Sequence, residues 1–166
     1  MATMPAHFPR AETIPDLHPL NAVRADYLDG RCHYLALALA EQTGLELAVL
    51  WDCGQEPVPL HVFCCAALAG PAVDAYGVVD DPWDLLLYFN QEWNLARPED
   101  PDVTLISRQE LLELFCAGGE PDPEAMARAR ADLIRFGFTP SPSPSLAALA
   151  EPARPAPSES ATAVEL

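Results

Sequence analysis

Between Gly30 and Gly44 the chain reads Arg-Cys-His-Tyr-Leu-Ala-Leu-Ala-Leu-Ala-Glu-Gln-Thr, and this stretch restricts the fold more than any other. Alanine and leucine are the strongest helix formers, and glycine is the residue type that ends a helix in a left-handed turn. The composition predicts a helix from Cys32 to Thr43. Its apolar residues fall on almost every side, so the helix has no face suited to water and belongs at the centre of a folded unit. Asp29-Gly30 just before it is a turn signal that sets Cys32 at the first helical turn.

The segments around this helix read as strands and shorter helices. Residues 45–52 (LELAVLWD) form a first strand, 53–57 a turn, and 58–66 (VPLHVFCCA) a second strand. After the Ala69-Gly70-Pro71 corner, residues 72–76 make a short third strand stopped by Gly77, close enough to the second to pair as an antiparallel hairpin. Upstream, Leu20, Val23, Tyr27 and Leu28 suit a short helix or turn within 17–28. Asp81-Pro82 is a cap and first position for a segment over 83–89, and 92–102 reads as a polar loop. Ser107-x-x-Glu110 is a capping box that starts a helix ended by Gly118-Gly119. A further helix runs from Asp122-Pro123 to about Phe136, closed by Gly137. The expected fold class is α+β, with a central helix packed on a small antiparallel sheet and additional C-terminal helices. Residues 1–16 read as a flexible Pro-rich arm, 17–137 as one domain, and 138–166 as a disordered or extended Pro/Ser/Ala-rich tail.

Charge narrows the function classes. The 166 residues hold 25 acids against nine bases, all arginine, for a net charge of −16. Such a field repels a nucleic-acid backbone, so nucleic acid is excluded as a partner. No apolar run reaches the ~18 residues of a membrane span. Residues 1–15 carry three prolines and no apolar stretch, so they do not read as a secretory signal, and a cytoplasmic protein is expected. The five cysteines, at 32, 53, 64, 65 and 116, are odd in number and contain no C-x-x-C pair. That pattern favours reduced thiols over a disulfide framework or structural zinc, and neither a metal nor an organic cofactor is expected.

Three residues have the types and order of a nucleophilic site: Cys32 at a helix start, His61 on the second strand and Asp74 on the third. A helix N-terminus carries unsatisfied N–H groups and partial positive charge, which favours a thiolate there. An imidazole takes the thiol proton and later hands it to a leaving group, and a carboxylate behind it fixes its tautomer. His61 and Phe63 share one strand face, opposite Leu60 and Val62, and Asp74 follows His61 at a distance suited to paired strands. His33 is a rival base, set aside because neighbours on a helix point about 100° apart. A buried cysteine is often only a small hydrophobe, and it is the position beside Gly30 at a helix start that favours function for Cys32. Arg31, His33, Tyr76 and Trp83 lie near enough in sequence to wall a substrate cleft.

This order of parts resembles the papain-like superfamily in its circularly ordered, transglutaminase/NlpC-P60-like branch. More narrowly, Gly30-x-Cys32-His33-x-Leu35-Ala36, then Gly44, His61-Val62 and Asp74-x-x-Gly77, resembles small bacterial and phage-associated proteins; the likeness covers residues 28–90. It implies a papain-like core in which Cys32 is the nucleophile, His61 the base and Asp74 the orienting acid. The activity implied is hydrolysis or transfer at an amide or isopeptide bond of a protein or peptide substrate. The Cys-to-His interval is shorter than in transglutaminases, and no segment reads as a second oxyanion donor; Asn21, Gln109 and Arg31 are the candidates. The alternative is a non-catalytic protein-binding module of the same fold, with an acidic surface and a Pro-rich tail.

Overall fold

A helix that is apolar all round must be covered on several sides at once, and here a sheet and a second helix share that task. The computed structural model describes residues 8–11, 18–28, 30–85 and 101–138. Its elements are α1 (Asn21–Asp26), α2 (Cys32–Thr43), β1 (Glu46–Asp52), β2 (Val58–Cys65), β3 (Ala72–Asp74), β4 (Gly77–Val79), β5 (Pro101–Ile106), α3 (Arg108–Phe115) and α4 (Pro123–Arg135). The class is α+β. The five strands form one antiparallel sheet in the order β4-β3-β2-β1-β5.

Alternation along the strands divides the core in two. Leu47, Val49, Val62, Cys64 and Val73 join Leu35, Leu37 and Leu39 of α2 in one cluster, together with Met126, Ala129 and Leu133 of α4. Ala48, Leu50, Phe63, Cys65, Ala72, Val79 and Val103 form a second cluster with Leu85. Burying each leucine of α2 is worth about 2 kcal/mol, which holds the helix against β2 and α4. Gly44 ends it at φ +70°, its N–H donating to the Ala40 carbonyl at 2.8 Å. The caps fall where the sequence puts them. Ser107 Oγ accepts from the Glu110 N–H and Glu110 Oε2 from the Ser107 N–H, while Asp122 caps α4 ahead of Pro123.

Three features depart from the sequence reading. Gly77 does not stop the sheet: Ala75 and Tyr76 turn the chain and Gly77 opens β4, pairing back on β3 through Asp74↔Gly77. Residues 101 and 102, read as polar loop, begin β5, which pairs with β1 from Asp52↔Pro101 to Leu47↔Ile106. As the outermost strand in that direction, β5 tolerates a proline at its start. Residues 8–11 are not a loose arm but part of the packed unit. Phe8 and Ala11 are buried, the Val78 N–H donates to the Pro9 carbonyl at 2.8 Å, and Arg10 pairs with Asp80 at 2.8 Å. Phe8 meets Phe138 edge to face at 4.9 Å, so the packed chain also passes the expected boundary at 137. The rest of the expected arm, Asp29, the segment 86–100 with Trp93, and the tail from 139 lie outside the described residues. Among the described residues, no helix is long and apolar enough to cross a membrane.

The close approach at Gly77 gives a first prediction. A Cβ there would stand 2.5 Å from the Pro9 carbonyl oxygen, on a backbone at φ +108°, whereas at Gly118 (φ +87°) nothing lies within 4 Å. In urea denaturation, Gly118→Ala should lose about 1–2 kcal/mol from backbone strain alone. Gly77→Ala should lose clearly more, because residues 8–11 must also shift. Equal losses would show that this segment adds nothing to the fold.

Candidate active site

The first residue of α2 is Cys32, with Arg31 as the preceding cap residue and Gly30 at φ +83° before it. His61 lies on β2 and Asp74 ends β3. The register Cys64↔Val73 and Cys65↔Ala72 puts His61, Phe63 and Asp74 on the same face of the sheet. His61 Nε2 and Asp74 Oδ2 are 3.0 Å apart, with the two side chains 1% and 5% exposed. An ionised carboxylate only accepts, so Nε2 carries the hydrogen and Nδ1 is the nitrogen left to face the thiol. The other carboxylate oxygen, Oδ1, accepts from the Tyr76 N–H at 2.8 Å. Both oxygens of Asp74 are thereby held.

Cys32, 5% exposed, lines one closed space with His61 and Asp74. Burial is the largest single influence on its thiol and pushes the pKa up. Interactions with His33 and His61, the charge of His61 and the Val62 amide outweigh burial and bring the pKa down to about 6. For His61, burial presses the pKa down, but the bond to Asp74, the contact with Cys32 and the charges of both raise it to about 9. Between these values the pair is thiolate and imidazolium. Cys64 and Cys65 move the other way, burial pushing both up, Cys65 to about 11. The Cys64 thiol donates to the Ala36 carbonyl at 3.1 Å, and burial also raises Cys116.

The other residues singled out in the sequence are distributed unevenly. His33 is buried beside Cys32, its ring stacked on Phe115 at 5.2 Å and tilted against Tyr34 at 4.0 Å. It lowers the thiol pKa by proximity, although among the described residues neither ring nitrogen meets the geometry of a hydrogen bond. The 100° separation that set it aside as a base did not keep it from the thiol. Tyr76 serves through its backbone, holding Asp74. Trp83 is 42% exposed and does not line the space around the thiol, so it is no cleft wall there. Arg31 faces a different cavity of about 310 Å³, with Tyr34, Asp122, Glu124, Ala125 and Arg128. Of the oxyanion candidates, Asn21 Oδ1 accepts from Arg24, and Gln109 Nε2 donates to Glu113 at 2.9 Å.

Two residues were missed. Tyr27 lines the space beside Cys32 and donates its hydroxyl to the buried Asp132 at 2.8 Å. Arg24 is 3% exposed, and its Nε donates to the carbonyl of Ala75, the residue after Asp74, at 3.0 Å. The apolar spacing of α1 pointed to a helix, but nothing in it marks Arg24 as inward-facing. Among the described residues, no group of three or more His, Cys, Asp or Glu side chains is placed to hold a metal ion.

The pair makes a pH prediction whose two halves oppose each other. Lowering the thiol pKa from 9.0 to about 6 on folding adds stability that is full above 9 and is lost as pH falls through 6. Raising the imidazole pKa from 6.5 to about 9 adds stability that is full below 6.5 and is lost as pH climbs through 9. Between about 6.5 and 9 the folded and the unfolded pair each hold one proton, so the two slopes cancel. Unfolding free energy should show no slope from this pair in that window, while ultraviolet thiolate absorbance, measured in a Cys53→Ser background, should rise with a midpoint near 6. A midpoint near 9 would refute the ion pair.

No family model, no curated protein and no solved structure matches this chain.

Proposed function

We propose that the chain is a cysteine-dependent acyl-transfer or hydrolytic enzyme with a papain-like core, acting at an amide or isopeptide bond of a protein or peptide. The observation that carries this reading is the buried hydrogen bond from His61 Nε2 to Asp74 Oδ2 with Cys32 lining the same closed space, its thiol brought down to about 6. A thiolate at neutral pH is a ready nucleophile, and the opposed shifts of thiol and imidazole divide the roles of nucleophile and acid.

Cys32 sulfur attacks the carbonyl carbon, forming a C–S bond and moving an electron pair onto the carbonyl oxygen. The tetrahedral adduct collapses, the C–N bond breaks, and the leaving amine takes the proton from His61 Nδ1. His61 is now neutral, with its remaining hydrogen on Nε2 toward Asp74. It accepts a proton at Nδ1 from water or an acceptor amine, which attacks the thioester and releases Cys32 as thiolate. Asp74 keeps the hydrogen on Nε2 throughout, so Nδ1 is always the working nitrogen.

The specific observation on the side of a non-catalytic module is closure: the space among Tyr27, Cys32, His61, Val62 and Asp74 does not admit a water molecule. Reactivity separates the two readings. With iodoacetamide, Cys32 should alkylate with a pH midpoint near 6, ahead of the other thiols. Para-nitrophenyl acetate should give a burst of nitrophenol and an acetyl group on the Cys32 peptide. His61→Ala should move the alkylation midpoint above 9 and slow the reaction at pH 6 by roughly tenfold or more, the lost thiolate fraction outweighing the greater nucleophilicity of a higher-pKa thiolate. Asp74→Asn should act similarly: its amide would turn Nε2 into an acceptor and put the imidazole hydrogen on the side facing the thiol. Uniform labelling of all thiols and no burst would leave the binding module.

A further inference from the structure

The thiolate, the imidazolium and the carboxylate sum to one negative charge, held where solvent barely reaches. Uncompensated charge at that depth is costly, and a protein site normally sheds it by taking up a proton. Arg24 is the buried cation nearby. We propose that Arg24 is a positioning residue of this centre, its guanidinium balancing the charge of Cys32, His61 and Asp74 while clamping the turn that follows Asp74. The inference rests on the reading of Cys32 as a working thiolate.

The contacts of Arg24 favour this role over a merely structural one. Its Nε donates to the Ala75 carbonyl at 3.0 Å, within the same turn whose Tyr76 N–H holds Asp74 Oδ1. Its Nη1 reaches Asn21 Oδ1 at 3.2 Å and His18 Nδ1 at 3.0 Å, and its guanidinium lies 4.8 Å over the Phe136 ring. Among the described residues, none of these partners is a carboxylate. A buried guanidinium without an ion pair of its own is expensive to keep. The carboxylate whose charge it feels is Asp74, which spends its oxygens on His61 and Tyr76. With Arg24 included, the charges of Cys32, His61, Asp74 and Arg24 sum to zero, while the buried Asp132 is met separately by Arg128 and Arg135.

Among the described residues, the surroundings supply no substitute. From α1 and its approach come His18 and Asn21, from the β3–β4 turn Asp74 and Tyr76, from α2 Cys32 and His33, and from β2 His61. The α4 side presents only the Phe136 ring to the guanidinium, since Asp132 is engaged by Tyr27, Arg128 and Arg135. The charge matters most after His61 has given up its proton. Asp74 is then a buried anion beside a neutral ring, and a neighbouring cation keeps it ionised, so the ring retains its hydrogen on Nε2.

The test reads the thiolate midpoint of full-length protein by iodoacetamide kinetics on the Cys32 peptide. Arg24→Gln, which can keep the bond to Ala75 but loses the charge, should raise the midpoint by about one pH unit or more. Arg24→Lys, which keeps the charge and changes the hydrogen bonding, should stay within about half a unit of the wild type. Asn21→Asp, a near-isosteric change on α1, gives the guanidinium a carboxylate of its own and should also raise the midpoint, so the idea stays open to refutation even if Arg24→Gln does not fold. A wild-type midpoint near 6 that neither Arg24→Gln nor Asn21→Asp moves overturns the role of Arg24 alone. A wild-type midpoint near 9 overturns the thiolate reading and this inference with it.

Discussion

The hydrogen bond between His61 Nε2 and Asp74 Oδ2, 3.0 Å long and closed to solvent, is the contact around which the rest of this fold is arranged. A buried imidazole and carboxylate lose their hydration on folding and recover it only if geometry is good and the remaining polar atoms are satisfied. Asp74 meets that condition through Tyr76, and the turn carrying Tyr76 is fastened by Arg24. The sheet supplies the rest. The antiparallel register of β2 with β3 puts histidine and aspartate on one face, and a slip of one residue would separate them. The apolar α2 packs on Val62, Cys64 and Val73 of the opposite face, and its first residue, Cys32, lines one closed space with His61 and Asp74.

Much of this was legible in the chain because it is local. Gly44, the Ser107–Glu110 box and Asp122-Pro123 mark helix ends through their own backbone chemistry, and each holds in the structure. The faces of β2 were legible too, since strand alternation has a period of two whatever the partner. What escaped depends on distant partners. β5 became visible only through its pairing with β1, and β4 only because Gly77 lets residues 9–11 pass close over it. Arg24 looks like any helix arginine until Ala75, 51 residues away, accepts from it. His33 was judged by the 100° between neighbouring helix positions, whereas a ring in a first turn is placed by its neighbours, here Phe115 and Tyr34.

Burial of sulfur is not one environment in this protein. Cys64 and Cys65 are as enclosed as Cys32, yet burial leaves them as firmly protonated packing residues. The difference is the company at one helix end: two imidazoles and a backbone amide. At a second polar node Tyr27, which lines the same space as Cys32, donates to Asp132 of α4. Tyr27 stands edge-on to Phe136 while Arg24 covers that ring, so α1 reaches both nodes and joins the sheet side of the core to the helical side.

The edge-to-face pair of Phe8 and Phe138 closes the chain on itself, joining residues 130 positions apart. Cys32, His61 and Asp74 all lie inside that loop. Residues 8 and 138, the two ends of the described chain, therefore meet at one spot, next to β4 and the turn that holds Asp74. A short bridge could join the two ends there and the chain be reopened at a remote turn such as 53–57, giving a permuted protein in which the order of Cys32, His61 and Asp74 along the sequence changes while their arrangement in space does not.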